Sequence, residues 1–71
     1  MPEEVKAQIT GVVFQVVTKS GDRVQGGDPI VVLESMKMEI PVEAPRPGTV
    51  IEVKVKEGET VQEGDTVALL D

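Results

Sequence analysis

The feature that most constrains the fold of this chain is that its sequence matches itself when it is shifted by 37 positions. The aligned positions are mostly glycines and valines in one register, which chance similarity between valine-rich segments does not readily produce. They include Gly11/Gly48, Val13/Val50, Val16/Val53, Lys19/Lys56, Gly21/Gly58, Val24/Val61, Gly27/Gly64, Asp28/Asp65, Ile30/Val67, Leu33/Leu70 and Glu34/Asp71. We therefore predict one domain, residues 1–71, built from two copies of one unit at about residues 5–34 and 42–71.

Each copy has the composition of strands and turns. Val and Ile dominate, Gly, Pro and Asp cluster at intervals, and no segment keeps helical spacing for two turns. The sequence of each copy thus predicts, in order, a Val-rich strand, a Gly turn, a short Val-centred strand, a Gly-Asp turn and an apolar strand. Because each copy can bury the other's apolar face, the sequence predicts an all-β, two-layer sandwich with approximate twofold symmetry.

The segment Val50–Lys56 alternates between apolar and polar residues. Since successive side chains of a strand point to opposite faces, Ile51, Val53 and Val55 are predicted to face inward. Lys54 and its polar neighbours are then predicted to form a solvated face and not a binding patch.

Two short runs, Ile30–Leu33 and Val67–Leu70, are apolar throughout and are predicted to be the most buried strands. Pro41, Pro45 and Pro47 surround the junction between the copies. Proline cannot donate to a sheet ladder, so we expect edges or bends there.

Composition excludes several functions. The 71 residues contain no Cys and no His, a single aromatic residue, Phe14, and a formal charge of −6. Thiolate metal sites and the commonest catalytic groups are therefore absent, and nucleic acid is an unsuitable partner. Asp28 and Asp65 are predicted to stabilise turns and not to bind metal. We expect no catalytic residues and no metal site.

No apolar run approaches the roughly 20 residues that a membrane-spanning helix needs. The acidic start, Met1-Pro2-Glu3-Glu4, does not have the pattern of a signal peptide. We therefore expect a cytoplasmic protein with no membrane partner.

The junction between the copies leaves room only for a tight hairpin. If Met36 and Lys37 are its two turn residues, Ser35 faces Met38, Glu34 faces Glu39 and Leu33 faces Ile40. Such turns favour Asn-Gly because both central residues need positive φ, and opposed glutamates repel each other. A sequence that breaks local rules often does so for function.

Two interpretations of this hairpin compete. A lysine at a loop tip is usually only solvated, and a methionine usually fills a gap in the core. Met36 and Met38, however, lie too close to the turn for both to be deeply buried. Exposed methionines offer an adaptable apolar surface, so a protruding Lys37 between them suits recognition and modification by an enzyme.

The segment Glu34–Glu39, with Met-Lys-Met at its centre, resembles the attachment motif of biotinyl domains. The resemblance covers essentially the whole chain, including the repeat, the Gly-Asp turns and Pro47-Gly48, and is strongest to small free-standing bacterial biotin carrier proteins. It implies a barrel-sandwich hybrid, a flattened barrel of two four-stranded antiparallel sheets. It also implies that Lys37 lies on an exposed hairpin at the end opposite the termini.

The resemblance implies a biotin carboxyl carrier and not an enzyme. Lys37 would receive covalent biotin from a biotin protein ligase. The attached biotin would then carry a carboxyl group between a biotin carboxylase and a carboxyltransferase, as in acyl-CoA carboxylases. The resemblance also implies that Met36 and Met38, which flank the lysine, take part in recognition. Glu34, Ser35 and Glu39 are further candidates for recognition by the ligase.

Some details depart from the family's commonest pattern. Ser35 stands where Ala often precedes Met-Lys-Met, and the segment Val17–Val24 leaves no room for the protruding thumb of some carriers. Lipoyl domains share the fold but usually have Asp-Lys-Ala, so lipoate on the same Lys37 is the alternative cofactor. An unmodified β-sandwich adaptor, whose hairpin only binds a partner, is the alternative from another class.

Overall fold

A computed structural model of the chain describes residues 2–71, which form eight β-strands and no helix. The strands lie in two antiparallel sheets of four, so the predicted all-β fold with two four-stranded sheets is confirmed. In chain order they are β1 (Glu3–Lys6), β2 (Gly11–Val16), β3 (Arg23–Val24), β4 (Pro29–Ser35), β5 (Met38–Glu43), β6 (Gly48–Val53), β7 (Thr60–Val61) and β8 (Thr66–Leu70).

The two sheets have matching strand orders. We call the sheet β5-β4-β2-β7 the hairpin sheet and the sheet β1-β8-β6-β3 the opposite sheet. A shift of 37 residues relates β1 to β5, β2 to β6, β3 to β7 and β4 to β8. The same shift therefore exchanges the two sheets strand for strand, which is the arrangement of a quasi-twofold axis.

The core lies between the sheets and consists of small and branched apolar side chains. In the central strands β4 and β8, the runs 30–33 and 67–70 contain fully buried residues, as predicted. No polar or charged residue is buried among residues 2–71. The buried apolar side chains are those of Val5, Ala7, Val13, Val24, Ile30, Val31, Leu33, Val42, Ala44, Val50, Val61, Val67, Ala68 and Leu70.

The predicted alternation in β6 is wrong at one position. Ile51 does not face inward but is 39% exposed, while Val50 before it is buried. The register with β8 shifts between Val50 and Glu52, so Ile51 is the extra residue of a β-bulge. A bulge adds one residue to one strand only, so the period of two is interrupted there. Beyond it, residues 53–55 follow the prediction, with valines half-buried and the lysine exposed.

The Gly-Asp steps form turns, as predicted. Asp28 Oδ2 accepts a hydrogen bond from the Gln25 N–H at 2.8 Å, and Asp65 Oδ2 accepts one from the Gln62 N–H at 2.9 Å. The glycine before each aspartate has a φ of 91° or 92°, which glycine adopts without a steric penalty. These carboxylates therefore stabilise turns.

The β4–β5 hairpin lies at one end of the molecule. Strand β5, an edge strand that contains Pro41 as predicted, leads away from the turn for six residues, about 20 Å. The segment after it places Arg46 against both chain ends. Its Nε donates to Glu3 Oε1 at 2.8 Å and its Nη1 to the Asp71 carbonyl oxygen at 3.2 Å. The turn is thus at the end opposite the termini, as the resemblance implied.

Candidate functional site

Strands β4 and β5 are joined by Met36 and Lys37 alone. Ser35 pairs with Met38 and Glu34 with Glu39, so the predicted two-residue turn and its register are confirmed. Both turn residues have positive φ, 53° at Met36 and 65° at Lys37. They are the only non-glycine residues with positive φ in the described part of the chain, residues 2–71. Since side chains resist this conformation, the turn is held by the pairing on either side of it.

The side chains at the tip point into solvent. Met36 is 92% exposed and Met38 is 62% exposed, so the prediction that neither is deeply buried is confirmed. Lys37 is exposed as well, and no ion pair within residues 2–71 involves it. An approaching protein therefore meets a primary amine with an apolar side chain on each side.

The base of the hairpin is anchored to the core. Directly paired residues share a face, so Ser35 and Met38 continue the inward stripe of Leu33 and Ile40 beyond the end of the sandwich. Leu33 is fully buried and Ile40 is half-buried, whereas Ser35 is half-buried and Met38 is exposed. The tip thus projects from a rigid base.

Gly11 is a structural contributor to this site that was not singled out from the sequence. A Cβ on Gly11 would lie 2.7 Å from the Glu34 carbonyl oxygen and 3.5 Å from Ser35 Cβ. Only glycine allows β2 to approach the base of the hairpin so closely. Its alignment with Gly48 in the repeat was the available signal, because a Cβ on Gly48 would meet the Asp71 carbonyl oxygen in the same way.

Glu34 and Glu39 lie opposite each other and are exposed, which confirms their predicted opposition. Neither takes part in an ion pair within residues 2–71. Like charges at directly opposed positions of a sheet are destabilising. The structure therefore brings Glu34, Ser35, Met36, Lys37, Met38 and Glu39 together in one exposed hairpin end.

The remainder of residues 2–71 offers no competing site. No group of three acidic side chains there is arranged to hold a metal ion, and no ligand-sized cavity opens between the sheets. The hairpin is accordingly the candidate functional site.

Comparison with known proteins agrees with this geometry. The family model described as "Biotin-requiring enzyme", the biotin/lipoyl model, matches residues 1–70. The chain belongs to the biotin/lipoyl family. Among solved structures, this biotin/lipoyl domain resembles part of the Kluyveromyces lactis urea carboxylase with a TM-score of 0.95 and 34% identity. That match covers 100% of this chain and 6% of the carboxylase.

Two curated relatives of the biotin/lipoyl family are close in sequence. The chain is 54% identical over 44 residues to "Biotinylated protein TB7.3" of Mycobacterium tuberculosis, covering 62% of each chain. It is 49% identical over 41 residues to the biotin carboxyl carrier protein of acetyl-CoA carboxylase of Solanum lycopersicum, covering 58% of this chain and 59% of that relative. The chain thus matches 62% and 59% of the length of these two relatives. The part that the structure describes contains no helix that could span a lipid bilayer.

Proposed function

We propose that this chain is a biotin carboxyl carrier in which biotin is attached through an amide bond to Lys37. The observation that carries the proposal is the exposed Lys37 at the tip of a two-residue, positive-φ turn. Membership of a family described by its requirement for biotin supports the choice of cofactor.

The hairpin fits the attachment of such a group. The Lys37 amine is exposed and unpaired within residues 2–71, so its modification displaces no packing and breaks no ion pair. The exposed Met36 and Met38 offer apolar contacts on both sides of the amine. We propose that Glu34, Ser35 and Glu39 complete the surface that a biotin protein ligase recognises.

In the attachment step, the Lys37 amine would attack the acyl carbon of biotinyl-adenylate, forming the amide and releasing AMP and a proton. An ammonium group must lose its proton before it can attack. The chain contains no His, and no carboxylate pairs with Lys37 within residues 2–71. The proton acceptor is therefore expected on the ligase. Because amide formation removes a positive charge, the formal charge changes from −6 to −7.

When bound, biotin supplies a site that accepts a carboxyl group at a biotin carboxylase and releases it at a carboxyltransferase. The chain's own contribution is a rigid domain that presents this group beyond its surface. Tethering on a short link gives an effective concentration on the order of millimolar at each partner site. We propose that its partners are the biotin carboxylase and the carboxyltransferase of an acyl-CoA carboxylase, and that the protein acts in the cytoplasm. We expect no catalytic turnover by the isolated chain.

Intact-mass measurement tests the proposal. The chain is incubated with a biotin protein ligase, ATP and biotin, or with a lipoate ligase, ATP and lipoate. We expect one biotinyl group on the wild type, none on Lys37→Arg, and one on Lys54→Arg, a control at an exposed lysine outside the hairpin. If the chain gains a lipoyl group but no biotinyl group, the cofactor is lipoate and not biotin. Full carboxylase activity with Lys37→Ala would favour the unmodified adaptor.

A further inference from the structure

The outer face of the hairpin sheet begins directly beside Lys37. Paired residues share a face, and the registers place Glu39, Glu34, Val12 and Thr60 in one row across all four strands. This row is two positions below the turn pair Met36–Lys37, because the pair Ser35–Met38 lies between them. Any protein that surrounds the Lys37 side chain therefore approaches this row.

The next part of this face is apolar. Phe14, the only aromatic residue of the chain, is the extra residue of the bulge in β2 and is 48% exposed. Val12 and Val17 of the same segment are 40% and 38% exposed. Pro41, exposed on the edge strand, pairs with Val32 of β4 and so belongs to the same outer face.

The opposite sheet provides an internal comparison, because a shift of 37 residues relates the two faces. Its outer face is polar at the equivalent positions: Thr49 corresponds to Val12, Lys54 to Val17 and Glu4 to Pro41. The exception among these positions is Ile51, which corresponds to Phe14 and is apolar as well. Since the two faces have equivalent backbones, the fold itself does not require the apolar residues of the hairpin face.

The charges differ in the same way. On the opposite sheet Lys6 pairs with Glu4 at 3.6 Å and Lys54 with Glu52 at 3.7 Å, so its acidic groups are compensated. On the hairpin sheet Glu34, Glu39 and Glu43 are exposed, and none takes part in an ion pair within residues 2–71. The hairpin face thus combines apolar residues with uncompensated negative charge.

We propose that the outer face of the hairpin sheet, around Val12 and Phe14, is the docking surface for the protein ligase that acylates Lys37. This inference rests on the proposed function. The complementary ligase surface is an apolar patch with a rim of Lys and Arg, because the carboxylates on this face need basic partners. The same carboxylates oppose a second copy of this chain at the face, since like charges would meet.

The ligase is favoured over the carboxylase enzymes as the occupant of this face, because the atom on which it acts lies closer to the surface of the domain. Before modification the reacting atom is the lysine amine itself, so the ligase must approach until it covers the hairpin and the adjoining row. After modification the reactive group lies at the end of a much longer arm. A carboxylase site therefore needs less contact with the sheet face.

The first test uses ¹⁵N-labelled wild-type chain titrated with the ligase in the absence of ATP. We expect line broadening at Val12, Phe14 and the hairpin, and unchanged signals at Thr49 and Ile51. Broadening confined to the hairpin tip, or on the opposite face, overturns the proposal. Concentration-dependent shifts of Val12 and Phe14 without ligase would assign the face to a second copy and overturn it as well.

The second test compares two double variants at equivalent positions. Val12→Lys with Phe14→Lys should raise the KM of the ligase for the chain about tenfold, because two central apolar contacts are replaced by charges that repel a basic rim. Thr49→Lys with Ile51→Lys should leave the KM within about twofold of wild type, since peripheral charges act weakly. Added salt should raise the wild-type KM, because it screens the attraction between the faces.

Equal KM values for the two double variants would contradict the proposal. If the first variant does not fold, the titration of the wild-type chain decides the question alone. Biotin uptake by the wild type, seen as a mass increase, tests the proposed function separately. Normal uptake with equal KM values therefore overturns the docking surface and leaves the carrier function standing.

Discussion

Met36 occupies an unfavourable backbone conformation and receives almost no packing in return. Its φ is 53° and its side chain is 92% exposed. We predict that Met36→Gly increases the stability of the domain. The reason is that glycine adopts positive φ without the clash between Cβ and the carbonyl oxygen.

The magnitude follows from three contributions. Relief of the left-handed conformation is worth about 1–2 kcal/mol for a residue with a side chain. The greater freedom of glycine in the unfolded chain offsets about 0.4–1 kcal/mol of this gain. The buried fraction of Met36 is so small that the lost hydrophobic contribution is only about 0.2 kcal/mol. The middle of these ranges gives a net gain of about 0.6 kcal/mol. This corresponds to a Tm increase of roughly 2–5 °C for a domain of this size.

Thermal and urea unfolding of the unmodified proteins, followed by far-UV circular dichroism, measure this gain. Met38→Gly is the matched control, because Met38 lies in β5 and is not among the positive-φ residues. Glycine within a strand is destabilising by roughly 0.5–1 kcal/mol, so the two variants should shift Tm in opposite directions. If Met36 also contacts the ligase, Met36→Gly should be biotinylated less efficiently although it is more stable.

A decrease in Tm for Met36→Gly equal to that for Met38→Gly would refute the reasoning. It would mean that the positive φ at Met36 imposes no net cost on the folded state. Equal biotinylation of Met36→Gly and wild type would separately show that the ligase does not depend on this side chain.

Two further substitutions test the base of the hairpin and the core. Gly11→Ala should move Glu34 and Ser35, because its Cβ would lie 2.7 Å from the Glu34 carbonyl oxygen. We expect shifted hairpin amide signals and biotinylation slowed several-fold, since small displacements of a reacting group are costly. Gly48→Ala should leave the hairpin signals unchanged, and equal effects of both variants on the hairpin would contradict this reasoning. Leu33→Ala, at a fully buried position, should lower the free energy of unfolding by about 2–5 kcal/mol in urea titrations. A loss below about 1 kcal/mol would show that the core repacks.

Much of the hairpin could be predicted because its determinants are local in the sequence. Leu33 and Ile40 are apolar residues at matching distances from the turn, and only Met36 and Lys37 remain between the paired residues. That register places Glu34 opposite Glu39 without further information. The exposure of both methionines followed from their distance to the turn.

The bulge at Ile51 could not be predicted in the same way. Its sequence, Val-Ile-Glu-Val, is compatible with regular alternation, and the extra residue becomes visible only when β6 is paired with β8. The close approach of Gly11 to Glu34 likewise depends on which strand lies beside β4. Both features arise from contacts between segments that are distant in the chain.

The sequence by itself determined the strand content, the tight turns and the lysine between two methionines, because these depend on propensity, turn chemistry and short spacings. The tertiary structure decided which strands are neighbours and which residues of β2 and β6 leave the regular ladder. It also decided that the hairpin face is apolar and acidic while the opposite face is compensated by ion pairs. The physical reason is that a one-residue register shift changes the face of every following side chain, and register is set by packing between strands.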